Sequence, residues 1–344
     1  MDLIFILAII TILSVTVFDF TNGFHDAADM IATAIASRAM TPTVAILIVT
    51  SFTFIAPFVA GLAVADTIGT FVDIKGVSIL EAQSLIIAGM LAAITYNLIT
   101  WKLGLPSSSS NSLVGGLVGA ALYALGDSSV HWGVEALLNG NLEGVMKIIV
   151  GLFLSPFAGF VIGYFLMKFF MKLFSRLTFQ SRKIFIFSQY ISISWLGFSH
   201  GANDAQKGMG IIAMVLFASG YTTEFTVPIW AIILCTSAIS FGTLFGGWSI
   251  IKTLGFGIIK VKLLHSFTNQ IGSALINSIA TAIGAPTSTT QVVTATLIGI
   301  GAGEKPKHVK WKVAGSIIGG WFVNIPLSMG IGASYCMLLL YILN

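Results

Sequence analysis

Four short stretches hold nearly all the chemistry this sequence could do. Residues 22–29 read NGFHDAAD and residues 200–208 read HGANDAQKG, each setting an aspartate, Asp26 or Asp204, in apolar sequence. Residues 106–110 read PSSSS and residues 286–290 read PTSTT, each a proline followed by four hydroxyl residues. A carboxylate held away from bulk water must face protein, a water-filled cavity or a cation. Carboxylates together with backbone carbonyls form a hard-oxygen set suited to a small cation. A proline and hydroxyls ahead of an apolar helical stretch, here 113–125 and 292–300, mark a helix N-terminus. Such a terminus presents free N–H groups and a positive dipole end, an anion site that needs no arginine. The candidate anion ligands are Ser107, Ser108, Ser109, Ser110 and Asn111, with Thr287, Ser288, Thr289, Thr290 and Gln291, and Asp26 and Asp204 at the same anion as acceptors of its proton. The candidate cation ligands are Asn22, Asp26, Asp29, Asn203 and Asp204.

Each feature also has a plainer explanation. A lone aspartate can cap a break in a helix, and a lone serine cluster can cap a helix or pack between helices. His25 beside Asp26 suggests a phosphohydrolase metal dyad, but of the other histidines only His200 recurs in a motif. Lys207 either contacts an anion, neutralises Asp204, or simply pairs or snorkels. Arg38 reads as an orientation anchor, and Asn97 and Asn277 either line a cavity or bridge helices.

The elements that must position these residues are set by composition. The chain is 56% hydrophobic and 9% charged with a mean hydropathy of +0.96, more apolar surface than 344 residues can bury in water. Apolar runs at 43–65, 82–101, 148–167, 226–251, 263–303 and 313–344 are of membrane-crossing length. They lack the alternation of a membrane barrel, so helices are expected. The hydrophobic start has no basic n-region or small-residue cleavage site and reads as a retained first helix. Cys235 and Cys336 lie in apolar runs as packing residues, and the net charge of +4 points to membrane orientation, with no nucleic acid as partner.

The motifs recur in order. Asp26 aligns with Asp204 at an offset of 178, and Pro106 with Pro286 at 180, which indicates a duplication. Lys168, Lys172, Arg176, Arg182 and Lys183 form a basic linker expected to be cytoplasmic. Matching loops have opposite charge: 66–81 is net −2 where 251–262 is +3, and 126–147 is −2 where 303–312 is +3. The halves are therefore expected to be inverted relative to each other, as in secondary transporters. The expected architecture is an all-α integral membrane protein of about 10–12 transmembrane helices, with broken helices and hydroxyl-tipped hairpins. Its parts are a first repeat (1–167), the linker (168–183) and a second repeat (184–344), with both termini outside the cell membrane. Gly23 and Gly201 are expected to let the crossings open near 22–29 and 200–204, freeing carbonyls for a cation.

GFHDAAD, GANDAQKGMG and the two proline-hydroxyl loops resemble the inorganic phosphate transporter (PiT) family over nearly the whole chain. The resemblance implies a non-enzymatic, inverted-repeat carrier that imports phosphate with Na+ or H+. It also implies that Asp26 and Asp204 are essential, that the hydroxyl loops hold phosphate, and that the protein is a homodimer with no cofactor beyond the coupling ion. Two departures stand out. Asp29 replaces the family's usual asparagine, and Asn111 and Gln291 stand where histidine is common. The extra carboxylate and missing imidazoles favour Na+ over H+. The alternatives are a sulfate or other oxyanion permease, an anion channel and an intramembrane phosphohydrolase.

Overall fold

The computed structural model describes residues 3–74, 77–176 and 182–343. Part of the basic linker (177–181), residues 75–76 and the extreme ends (1–2 and 344) lie outside the described residues. The first half runs α1 (Leu3–Ala36), α2 (Pro42–Ile55), α3 (Ala63–Thr70), α4 (Ile79–Leu103), α5 (Ser109–Leu125), the short α6 (Val134–Leu138) and α7 (Gly144–Leu173). The second runs α8 (Arg182–Ala218), α9 (Ile229–Phe245), α10 (Trp248–Gly257), α11 (Leu263–Ala282), α12 (Thr289–Glu304) and α13 (Trp311–Leu343). Apart from α6, each helix has its counterpart in the other half. Four helices, α1, α4, α7 and α13, are individually long and apolar enough to cross a membrane, or six spans if each bent pair counts as one. α8 is longer still but carries the second aspartate motif.

The breaks fall elsewhere than expected. α1 continues unbroken through residues 22–29, and α8 through 200–204. The interruptions lie between α2 and α3, a bend of 76°, and between α9 and α10, a bend of 68°. Gly23 and Gly201 do not open their helices; they let other backbones approach. A Cβ on Gly23 would strike the Ile239 carbonyl of α9, and one on Gly201 would strike the Thr53 backbone of α2. These are small-residue helix crossings, the usual way membrane helices pack closely. The broken end of α3 is satisfied from α8, where Gln206 Oε1 accepts from the amides of Val64 (2.9 Å) and Ala65 (3.2 Å).

The halves exchange partners. α1 packs on α9 and α2 on α8; α5 packs on α13 and α12 on α7. Two apolar clusters result. One joins the start of α1 to the end of α8, the other the end of α1 to the start of α8. The aspartate motifs lie in the polar layer between them.

The two hairpins are built alike. α4 ends at Gly104 and α11 turns at Gly284, both in the left-handed region at φ 66° that glycine adopts without strain. An extended segment with a proline follows, then an N-cap serine. Ser108 accepts from the amide of Asn111 (3.1 Å), and Ser288 from the amide of Gln291 (3.3 Å). Each tip docks on the short bent helix of the other half. Thr253 of α10 donates to the Gly104 carbonyl (3.2 Å), and Thr67 of α3 donates to the Gly284 carbonyl (2.7 Å).

Candidate functional site

The hairpin tips and the two long helices converge in a fully enclosed polar layer: Asp26 is 1% exposed and Asp204 is fully buried. Ser110 of the first tip donates to the Thr287 carbonyl of the second (2.8 Å), so the tips touch. Ligand atoms of Asp26, His200 and Asp204 all lie within 4.8 Å of one another, and those of His25, Asp26 and Asp29 form a second such cluster. Carboxylates 178 positions apart in the chain are thus neighbours, and Asp26 belongs to both clusters.

Four hydroxyls face this layer. Ser109 donates to Asn22 Oδ1 (2.7 Å). Thr289 Oγ1 lies 3.1 Å from His200 Nδ1 and 3.5 Å from Asp204 Oδ2. Ser110 accepts from Lys207 Nζ (2.5 Å). Thr290 Oγ1 reaches Asp26 Oδ1 (2.9 Å) and also Asp29 Oδ2. A hydroxyl carries one proton, so Thr290 can donate to only one of those carboxylates at a time. The other needs a proton or cation of its own.

The remaining sequence-predicted ligands have structural duties here. Ser107 and the Ser108 carbonyl are held by the Asn324 amide (3.1 and 2.8 Å), and Ser108 and Ser288 cap their helices. Asn111 turns towards Ser108 Oγ and the Trp321 carbonyl. Thr287 Oγ1 donates to Asn277 Oδ1 (3.3 Å), while Gln291 Oε1 makes no hydrogen bond. Asn203 is committed to the second hairpin: its Oδ1 accepts from the Thr287 amide (3.0 Å), and its Nδ2 donates to Thr281 Oγ1 and the Ala285 carbonyl (3.1 Å each). Asn97 and Asn277 bridge to the hairpin hydroxyls Ser112 and Thr289. Among the described residues, the buried atoms Asp29 Oδ1, Asn22 Nδ2 and His200 Nε2 make no hydrogen bond.

Sequence reasoning passed over three residues. His200 sits beside both Asp204 and Thr289; its place at the head of the second motif was the available signal. Asn324 braces the first hairpin, and its signal was a lone amide in an apolar run. Asp19 is a fully buried carboxylate on α1 whose oxygens lie against Gly208 of α8, visible in sequence as an acid inside VFDFTN.

Two cavities lie away from this layer and do not reach the hairpin tips. One, of about 910 Å³, is lined by residues including Asp73, His131 and Glu135. The other, of about 740 Å³, is lined by residues including Arg38, Lys260 and Lys310. The polar layer itself is closed off from solvent by burial, with Asp26, Asp29, Asp204 and the tip hydroxyls Ser109, Ser110, Thr289 and Thr290 all buried.

Comparison with known proteins agrees with this geometry. A model described as the phosphate transporter family matches residues 22–181 and again 175–332. A probable low-affinity inorganic phosphate transporter of Rhizobium meliloti (strain 1021) is 40% identical, covering 92% of this chain and 91% of that protein. One of the same description from Bacillus subtilis (strain 168) is 36% identical, covering 97% of each. A solved structure titled the sodium-dependent phosphate transporter matches with a TM-score of 0.79 at 23% identity, over 98% of this chain and 99% of that one, a likeness of fold. With both halves matched and relatives above 30% identity along almost its whole length, the chain belongs to the phosphate transporter family.

Proposed function

We propose that this protein imports inorganic phosphate coupled to a cation, with Na+ favoured, by alternating access across the cell membrane. The observation that carries the reading is the convergence of Asp26 and Asp204 beneath two capped helix N-termini. Phosphate binds at the tips through Ser109, Ser110, Thr289 and Thr290, with the helix N-termini supplying positive potential. The cation binds at Asp26 and Asp29 with Asn22 nearby. Each ligand lowers the electrostatic cost of the other, and that mutual stabilisation is the coupling.

Phosphate is favoured over sulfate because the carboxylates can accept the proton that phosphate carries and sulfate lacks. Family membership removes the hydrolase, and an occluded site between paired hairpins supports a carrier over a channel. One observation gives proton coupling a footing: His25 and His200 place two imidazoles beside the aspartates. Because the halves exchange partners, movement of the docked hairpins is a simpler route to switching access than rocking one half against the other. Both termini outside, residues 168–183 in the cytoplasm, repeats bounded at 1–167 and 184–344, and a homodimer complete the proposal.

The test is uptake of labelled phosphate into proteoliposomes under a Na+ gradient, a proton gradient or neither, with sulfate as competitor. Saturable, gradient-driven uptake that resists sulfate is expected. Uptake indifferent to both gradients refutes the coupled carrier.

A further inference from the structure

The repeat makes Asp29 and Lys207 counterparts: each lies three residues beyond its motif aspartate, Asp26 or Asp204. The contacts make them counterparts in space as well. Thr290 of the second hairpin meets Asp29, and Ser110 of the first hairpin meets Lys207. Ser110 and Thr290 are themselves equivalent, 180 positions apart. At one position of a symmetric frame, one half therefore holds an acid and the other a base.

The lysine is fully buried, and its three N–H donors are all used. They go to Asp204 Oδ1, to Ser110 Oγ (2.5 Å) and to the Thr287 carbonyl (2.8 Å). One carboxylate, one hydroxyl and one backbone carbonyl form a hard-oxygen set of the kind that holds a small cation. The ammonium leaves no donor for an anion, which excludes phosphate as its partner in this state. In the first half the corresponding shell contains two carboxylates and one shared hydroxyl proton, with Asp29 Oδ1 making no hydrogen bond. Formal charge at the two equivalent positions is thus −2 for Asp26 with Asp29, and zero for Asp204 with Lys207.

We infer that Lys207 is a tethered cation. It permanently fills, in the second half, the place that an exchangeable coupling cation takes in the first, so one cation moves with each phosphate. This rests on the coupled-carrier reading above. It reassigns Asp204 from exchangeable-cation ligand to counter-ion of Lys207.

The test counts cations thermodynamically. Proteoliposomes are clamped at zero membrane potential with a tenfold gradient of whichever cation drives uptake, and steady-state phosphate accumulation is read. One cation per phosphate gives about tenfold accumulation and two give about a hundredfold. Wild type is expected at tenfold. Lys207→Met, which frees Asp204, is expected either at a hundredfold or inactive, with its thermal stability newly dependent on that cation. The second readout follows because an ion bound only by the folded state stabilises it. Wild type at a hundredfold overturns the inference even if the variant does not assemble. So does a Lys207→Met protein that accumulates phosphate tenfold with unchanged cation dependence of stability. Wild-type uptake indifferent to every cation gradient instead defeats the coupled-carrier reading itself, and the tethered cation with it.

Discussion

Replacing Asp26 or Asp204 with asparagine should abolish coupled uptake in both cases but move stability in opposite directions. Asp26 lies within 4.8 Å of Asp204 and, in its other cluster, of Asp29. Two unit charges at that 4.8 Å limit, at an effective dielectric of about 20, repel by about 3 kcal/mol. Asp26→Asn removes the Asp26–Asp29 repulsion, or the cost of the proton that relieves it, while leaving Thr290 an acceptor; Asp204 adds little because Lys207 offsets its charge, so in cation-free medium the variant should gain about 1–3 kcal/mol. Asp204→Asn removes the counter-ion of a fully buried lysine and strips a partner from His200. Breaking a buried pair from one side costs about 3–5 kcal/mol, so this variant should melt lower. The assay is thermal unfolding of purified protein in cation-free detergent buffer, followed by reconstituted uptake. An Asp26→Asn protein that melts lower than wild type without added cation, and still transports, would return Asp26 to a structural role and refute the reasoning.

Ser108→Ala and Ser288→Ala should each cost about 1 kcal/mol of stability and raise the phosphate KM, since each removes an N-cap beside the proposed anion site; melting and concentration-dependent uptake check both. Gly23→Val and Gly201→Val should fail to assemble, because the added carbons meet the Ile239 and Thr53 backbones; monodispersity after extraction reads this. Thr67→Val and Thr253→Val should each cost about 1 kcal/mol at a hairpin dock and alter the maximal rate more than KM, which initial-rate uptake separates.

The hydroxyl hairpins are legible in the sequence because each is a local pattern with a local cause, and the duplication and inversion because the two halves can be laid against each other motif by motif and loop by loop. Pro106 and Ser108, like Pro286 and Ser288, specify a chain turn and an N-cap with neighbours a few residues away. The location of the helix breaks is not legible in this way. A glycine that lets a helix open and one that admits another backbone look identical in sequence, and Gly23 is the second kind only because Ile239 approaches it. Lys207 is ambiguous for the same reason. Its partners Ser110 and Thr287 belong to two different hairpins, and only their meeting decides that the ammonium is caged and not free for an anion. Asn203 shows the converse: its motif position suggests a ligand, while its contacts make it a clamp on the second hairpin.

The exchange of partners between halves has a consequence for how the protein is made. α1 ends at Ala36, yet α9, on which it packs, starts only at Ile229. At about 5–20 residues per second, the ribosome leaves α1 without that neighbour for roughly 10–40 s. Thr290, the hydroxyl partner of Asp26 and Asp29, is synthesised later still. The hairpin made last is therefore the one that seals the acids, and a nascent chain stalled before α12 holds two carboxylates in the bilayer without that donor.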